Sequence, residues 1–259
     1  DTLTYSLSGG SDQAKFSIDA NTGTLAFANA PDYENPTDSN SDNTYIVEVT
    51  VTDNGSGNLT DTQTISVSIN DVNDAPVITS DGGGATATVS INENTVAVTT
   101  VTATDQDADT LTYSLSGGSD LAKFTIDANT GSLAFANAPD YENPTDSDGD
   151  NTYFIEITVT DNGSGNLTDA QTISLSVLDV NEHPVITSNG GGSTTSLSID
   201  ENTVAVTTVT ATDQDGDTLT YSLSGGSDQA KFTVDANSGV LAFANAPDYE
   251  NPTDSNSDN

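Results

Sequence analysis

The chain has 259 residues, with forty Asp and Glu against three Lys and no Arg, and a formal net charge of -37. A chain of that sign has no basic patch, which excludes nucleic acid and anionic membrane surfaces as partners, and it repels itself unless cations neutralise it. It has no Cys, no apolar run of about eighteen residues and no signal peptide at its start, so neither disulfides nor direct membrane insertion is expected of this segment.

An acidic, Ser/Thr/Gly-rich composition suggests disorder first, and periodicity argues against it. Strand-like segments begin around Leu3, Phe16 and Leu25. In residues 45–52 the apolar Tyr45, Val47, Val49 and Val51 alternate with mostly polar neighbours, the period of a half-buried strand, and Ile65, Val67 and Ile69 repeat it. After the turn-like Asp71-Val72-Asn73-Asp74-Ala75-Pro76, strands are expected at 77–80, 86–91, 96–104, 111–115, 124–126 with 133–135, 153–160 and 173–178. A second such turn, Asp179-Val180-Asn181-Glu182-His183-Pro184, precedes further segments around Leu219, Phe232 and Leu241. The Gly82-Gly83-Gly84 and Gly190-Gly191-Gly192 runs lack the following Lys of a phosphate loop and read as flexible turns. Helical spacing is sustained nowhere.

The segments are copies. Asp1-Thr2-Leu3-Thr4-Tyr5 recurs from Asp109 and again from Asp217, a period of 108 residues, and residues 1–43 differ from 109–151 at only five positions. A period that long suits one independent domain per repeat rather than a solenoid unit. With boundaries after Pro76 and Pro184, residues 77–184 form a complete repeat, and 1–76 and 185–259 read as partial ones, a window on a longer array. About seven short strands in roughly 100 residues predict a Greek-key β-sandwich, so the fold class is all-β, with tandem sandwiches in a linear array.

The acidic residues gather at strand ends, at the same place in each repeat. Calcium takes about six to eight oxygen ligands, so a site needs several such loops brought together. Five motifs in order then resemble the cadherin family across the whole chain. Asn92-Glu93-Asn94 is similar to its Pro-Glu-Asn element, Asp105-Gln106-Asp107 to its Asp-x-Asp, and Asp140-Tyr141-Glu142 to its Asp-Arg-Glu. Asp161 in Asp161-Asn162-Gly163 ends the sixth strand, and Asp71 to Pro76 matches the linker Asp-x-Asn-Asp-Asn-Ala-Pro, one residue short.

The resemblance implies cadherin/immunoglobulin-like sandwiches with Ca2+ between successive domains. At the first junction it nominates Asp32, Glu34, Asn73 and Asp74 with Asp105, Asp107 and Asp161; at the second, Glu93, Asp140, Glu142, Asn181 and Glu182 with Asp213 and Asp215. The second linker carries Glu182 and His183 where the first carries Asp and Ala, which implies a changed geometry or affinity there. Trp is absent, and with it the exchanged tryptophan of animal classical cadherins. The loop Asp146-Ser147-Asp148-Gly149-Asp150 lacks a distal Glu ligand and reads as a solvated acidic loop.

No enzyme is expected: carboxylate pairs copied once per repeat suit structural metal sites, and lone His183 has no nucleophile around it. Near-identical repeats without Cys resemble the repeat regions of bacterial-type extracellular adhesins. The expected function is a calcium-rigidified stalk or filament segment of a surface adhesin, extracellular or at the cell surface. The alternative is a calcium-dependent module that binds like repeats or a cell-surface polysaccharide.

Overall fold

A computed structural model describes residues 1–255. The fullest set of strands lies in residues 77–184, where strict alternation makes the longest ones. In Thr152–Thr160 the side chains of Tyr153, Ile155, Ile157 and Val159 are fully buried, because a period of two turns every second residue to one face. This strand pairs antiparallel with Thr112–Gly117 and with Thr168–Leu178, and Thr86–Asn92 joins Thr168–Leu178 in parallel to complete a four-stranded sheet.

Phe124–Ile126, Ser132–Phe135 and Ala97–Thr100 form a second sheet, and Val77–Ile78 pairs with Ala103–Thr104 beside it. Phe124, Leu133 and Phe135 meet Tyr153, Ile155, Ile173 and Leu175 in one core. The Phe124 and Phe135 rings lie 4.3 Å apart, and Tyr153 presents its edge to them at 5.9 and 5.0 Å. Edge-to-face pairs of this kind add about 0.5–1.5 kcal/mol beyond the area they bury. The fold is an all-β sandwich, as expected, and within residues 77–184 it differs from what the sequence predicts in three details.

The expected strand 96–104 is broken, because Val101 is buried and gives its N–H to the Gly131 carbonyl (2.9 Å), while the Thr102 carbonyl takes the Thr79 N–H (2.8 Å). The chain thereby changes partner between Ala97–Thr100 and Ala103–Thr104. The last strand starts at Thr168, earlier than its apolar residues suggest. Its polar Gln171 is fully buried and donates to the carbonyl of Gly84 (2.8 Å), a partner that alternation does not disclose. The first strand is only Val77–Ile78, followed by a single 3-10 turn, Ser80–Gly82, closed by the N–H of Gly83 on the Ser80 carbonyl (2.9 Å) with φ +65° at Gly83.

In residues 1–76, Leu3–Gly9, Thr44–Asp53 and Thr60–Ser68 form one sheet and Phe16–Ile18 pairs with Leu25–Phe27. Among the described residues no parallel strand flanks Thr60–Ser68, so Ile65 and Val67 are half-buried where their counterparts Ile173 and Leu175 are fully so. In residues 185–255, Ala205–Thr208, Val240–Phe243 and Phe232–Val234 form the short-stranded sheet, and Val185–Ile186 pairs with Ala211–Thr212. The segment expected around Leu219 is not a strand. Residues 219–225 repeat the sequence of Leu3–Gly9 letter for letter, yet carry no ladder.

Candidate metal centre

The loop after Ala103–Thr104 is shaped by Asp105, whose Oδ1 accepts the backbone N–H groups of Asp107 (3.0 Å) and Asp109 (3.2 Å). Ala108 takes φ +60°, and the loop curls so that oxygens of Asp105, Asp107 and Asp109 fall within 4.8 Å of one another. Glu34, from the preceding repeat, and Asp71, from the linker, form a second such group with Asp107.

The linker is pinned between them. The Asp74 N–H donates to Asp107 Oδ2 (2.7 Å), and Asn73 Nδ2 donates to Oδ2 of buried Asp161 (2.9 Å). Asp161 Oδ1 accepts the N–H groups of Gly163 (3.1 Å) and Leu167 (3.0 Å), which fixes the turn beside the linker. Asp32 Oδ1 accepts the N–H groups of Glu34 and Asn35, both at 3.1 Å, and so holds Glu34 in place. Loss of hydration, and after it the neighbouring Asp107, raises the Glu34 carboxyl above its ordinary range. Asp109 is raised by loss of hydration and then by Asp105, Asp161, Asp107 and Asp71.

The second junction is built alike. Buried Glu93 accepts the Val180 N–H and the Tyr141 N–H, both at 2.8 Å, tying the linker to the Asp140 loop. Oxygens of Glu93, Asp140 and Glu142 form one close group, and those of Glu142, Asp179 and Asp215 another. The Glu182 N–H donates to Asp215 Oδ2 (2.8 Å), Asn94 Nδ2 to Glu182 Oε1 (3.0 Å) and Asn181 Nδ2 to the Glu182 carbonyl (3.2 Å). Asp213 Oδ1 accepts the Asp217 N–H (3.3 Å) and Asp140 Oδ1 the Asn143 N–H (3.1 Å). Loss of hydration raises Glu142, Asp179 and Glu182; the surrounding carboxylates, Glu93 and Asp215 among them, add to it, while Asn94 works against it at Glu182.

Asp105 Oδ2, Asp107 Oδ1, Glu182 Oε2 and Asp215 Oδ1 are buried and accept no hydrogen bond. A buried charged oxygen without a partner is costly, and a hard cation is the partner such an oxygen fits. The donor set, carboxylates with Asn and no thiolate, suits Ca2+ rather than a soft metal. Asp71, Asp109 and Asp179 belong to these groups and were not nominated from sequence. Asp71 and Asp179 stood in plain view at the head of each linker motif; Asp109 had no signal, because only the left-handed Ala108 returns it to the cluster.

Other acids hold loops through backbone N–H groups. Asp120, buried, accepts the N–H groups of Ser147 (2.7 Å) and Phe154 (2.8 Å) and the Ser119 hydroxyl (2.7 Å). Asp12 makes the same three bonds, to Ser39, Ile46 and Ser11. In the 146–150 loop, Asp146 Oδ2 accepts the Asp150 N–H (2.9 Å) and Oδ1 the Asn151 N–H (3.3 Å), closing the loop on itself.

The Cadherin domain family model matches residues 1–70 and 87–178. The chain belongs to the cadherin family. Human Protocadherin Fat 1 is 30% identical over 258 residues, covering 96% of this chain and 5% of that protein. Mouse Protocadherin Fat 2 is 36% identical over 146 residues, covering 53% of this chain and 3% of that protein. The chain thus spans a small fraction of the length of these relatives.

Two solved structures share the cadherin fold: human CDH23 EC21-23 (TM-score 0.58, 22% identity, 96% of this chain and 81% of that one) and the Protocadherin gammaB7 EC3-6 cis-dimer (0.51, 22%, 95% and 59%). The cadherin chain described here is extracellular or at the cell surface. Cadherin domains bind Ca2+. The named organisms are animals, so the cadherin resemblance stands without support for a bacterial-type origin. Among the described residues no helix is long and apolar enough to cross a membrane.

Proposed function

We propose that this cadherin chain is a segment of an extracellular stalk or filament of an adhesion protein, stiffened by Ca2+ where its repeats meet. Its units are residues 1–76, 77–184 and 185–259. The observation that carries this reading is the convergence of three chain regions on buried oxygens that lack hydrogen-bond partners.

At the first junction Asp32, Glu34, Asn73, Asp74, Asp105, Asp107 and Asp161 would hold the ion, joined by Asp71 and Asp109. At the second, Glu93, Asp140, Glu142, Asn181, Glu182, Asp213 and Asp215 would do so, joined by Asp179. Bound Ca2+ supplies counter-charge to carboxylates that otherwise repel. The chain's own part is to fix their spacing through the backbone N–H groups of Asp74, Glu182, Tyr141 and Val180. At ten times its dissociation constant, each bound ion stabilises the ordered junction by roughly 1.4 kcal/mol.

Small-angle scattering with Ca2+ and with excess chelator tests this. The maximum dimension is expected to be sharply defined with Ca2+ and broadly distributed without it; identical profiles would refute the stiffening. Because a solved protein of this fold is a cis-dimer, association with like repeats is the second reading. Ca2+-dependent self-association in sedimentation velocity would support it over a passive stalk, and selective retention on an immobilised polysaccharide would favour the carbohydrate-binding alternative.

A further inference from the structure

Two glutamines of the Asp-Gln-Asp motifs make hydrogen bonds that neither the motif nor a metal site requires. Gln106 Nε2 donates to Asp32 Oδ1 (3.1 Å) and Glu34 Oε2 (3.3 Å) of the preceding repeat. Gln214 does the same at the second junction, to Asp140 Oδ1 (2.9 Å) and Glu142 Oε2 (3.3 Å). The orientation follows from chemistry: ionised carboxylates only accept, so the amide nitrogen must face them. Among the described residues, the other side-chain hydrogen bonds reaching across a junction run through the linkers, by way of Asn73, Asp74 and Glu182. The glutamine amides, by contrast, join the body of one repeat directly to the body of the next.

We infer that Gln106 and Gln214 are positioning residues that hold the acidic arms of successive repeats near one another before the cation arrives, and so narrow the range of arrangements that it must close. The loop geometry makes this possible: Asp105 Oδ1 gathers the N–H groups of Asp107 and Asp109, and the amide of Gln106, between the two acids, reaches Asp32 and Glu34. Glu34 contributes Oε2 to the amide, and its carboxylate still contributes an oxygen to the group with Asp71 and Asp107. A neutral donor is suited to this task, since it adds no charge that would compete with the cation. Holding the acidic arms of two repeats in register lowers the ordering entropy left for the ion to overcome. This inference rests on the calcium-junction reading for its consequence, and on the hydrogen bonds alone for the metal-free positioning.

The absence of Cys allows two labels, Ser17→Cys and Thr125→Cys, at exposed positions of successive repeats, and the distance distribution between them reads the junction. Without Ca2+, Gln106→Leu and the isosteric Gln106→Glu are expected to broaden that distribution, while Gln106→Lys, which keeps a donor, preserves it. With saturating Ca2+ the unaltered and Leu chains are expected to coincide. The Ca2+ midpoint for the Leu variant rises roughly three- to tenfold, the effect of losing about one exposed bond to a charged group. An unchanged melting temperature shows that the repeats themselves are intact. If the Leu and unaltered chains coincide without Ca2+, the positioning role is overturned. If Ca2+ fails to narrow the unaltered chain, the calcium reading fails while the metal-free comparison still decides the role of the glutamine.

Discussion

A methyl group added at Gly163 would land on the side chains of Asn73 and Asp109, because the turn after Asp161 packs directly against the first linker. Gly163→Ala is therefore expected to weaken Ca2+ binding at that junction at least tenfold, read by isothermal titration. The matching Gly55→Ala, whose nearest contact is Asp1 Oδ2 at 3.1 Å, should leave it unchanged. Asp120→Ala strips three donors of a buried anionic acceptor and is expected to cost about 2–4 kcal/mol in chemical denaturation, with no effect on the Ca2+ midpoint. That the acids at strand ends come together was legible in sequence, because their order is informative even where each motif is short. Asp120 and Asp12 were not, since a carboxylate that binds backbone N–H groups has the same letter as one that faces a neighbouring repeat.

The seven residues 219–225 show what an element owes to its surroundings. Their twins Leu3–Gly9 and residues 112–117 are strands because Thr44–Asp53 and Thr152–Thr160 lie beside them, and sequence alone gave all three the same expectation. Alternation marks which residues can face a core, but the ladder is made by a partner, which local pattern does not contain. Extending the chain after Asn259 with a copy of residues 152–178 is expected to turn 219–225 into a strand. Hydrogen exchange would report it as strongly increased protection of these amides; no change would refute the missing-partner explanation. The same reasoning explains why the long strands 153–160 and 173–178 were found from their apolar residues, while the polar start at Thr168 and the break at Val101 were not.

For the whole molecule, acid is expected to act on the junctions through the same groups that are proposed to hold calcium. Glu34, Asp109, Glu142, Asp179 and Glu182 have carboxyls raised above their ordinary values, by loss of hydration first and by neighbouring acids next. A group raised on ordering contributes stability that is fully present below its ordinary pKa, about 4, and lost as pH rises through the raised value. Without Ca2+ the junctions should therefore loosen as pH is taken from about 4 to neutrality, read as a widening distance between labelled repeats. Added Ca2+ should abolish that trend. The sandwiches respond in the opposite sense: Asp127, held low by Thr130 and then Asn129, contributes stability above its ordinary value and loses it in acid. Melting temperature and junction closure should thus move apart as pH falls.

The parallel pairing of Thr86–Asn92 with Thr168–Leu178 runs in register from Thr86 opposite Thr172 to Asn92 opposite Leu178. These strands lie near the entrance and exit of the middle repeat, so a pull on the ends of the chain drags them in opposite directions. The ladder is then loaded in shear, with its hydrogen bonds strained together rather than opened one at a time like a zipper. A repeat with this ladder is in this way built to bear tension along the chain.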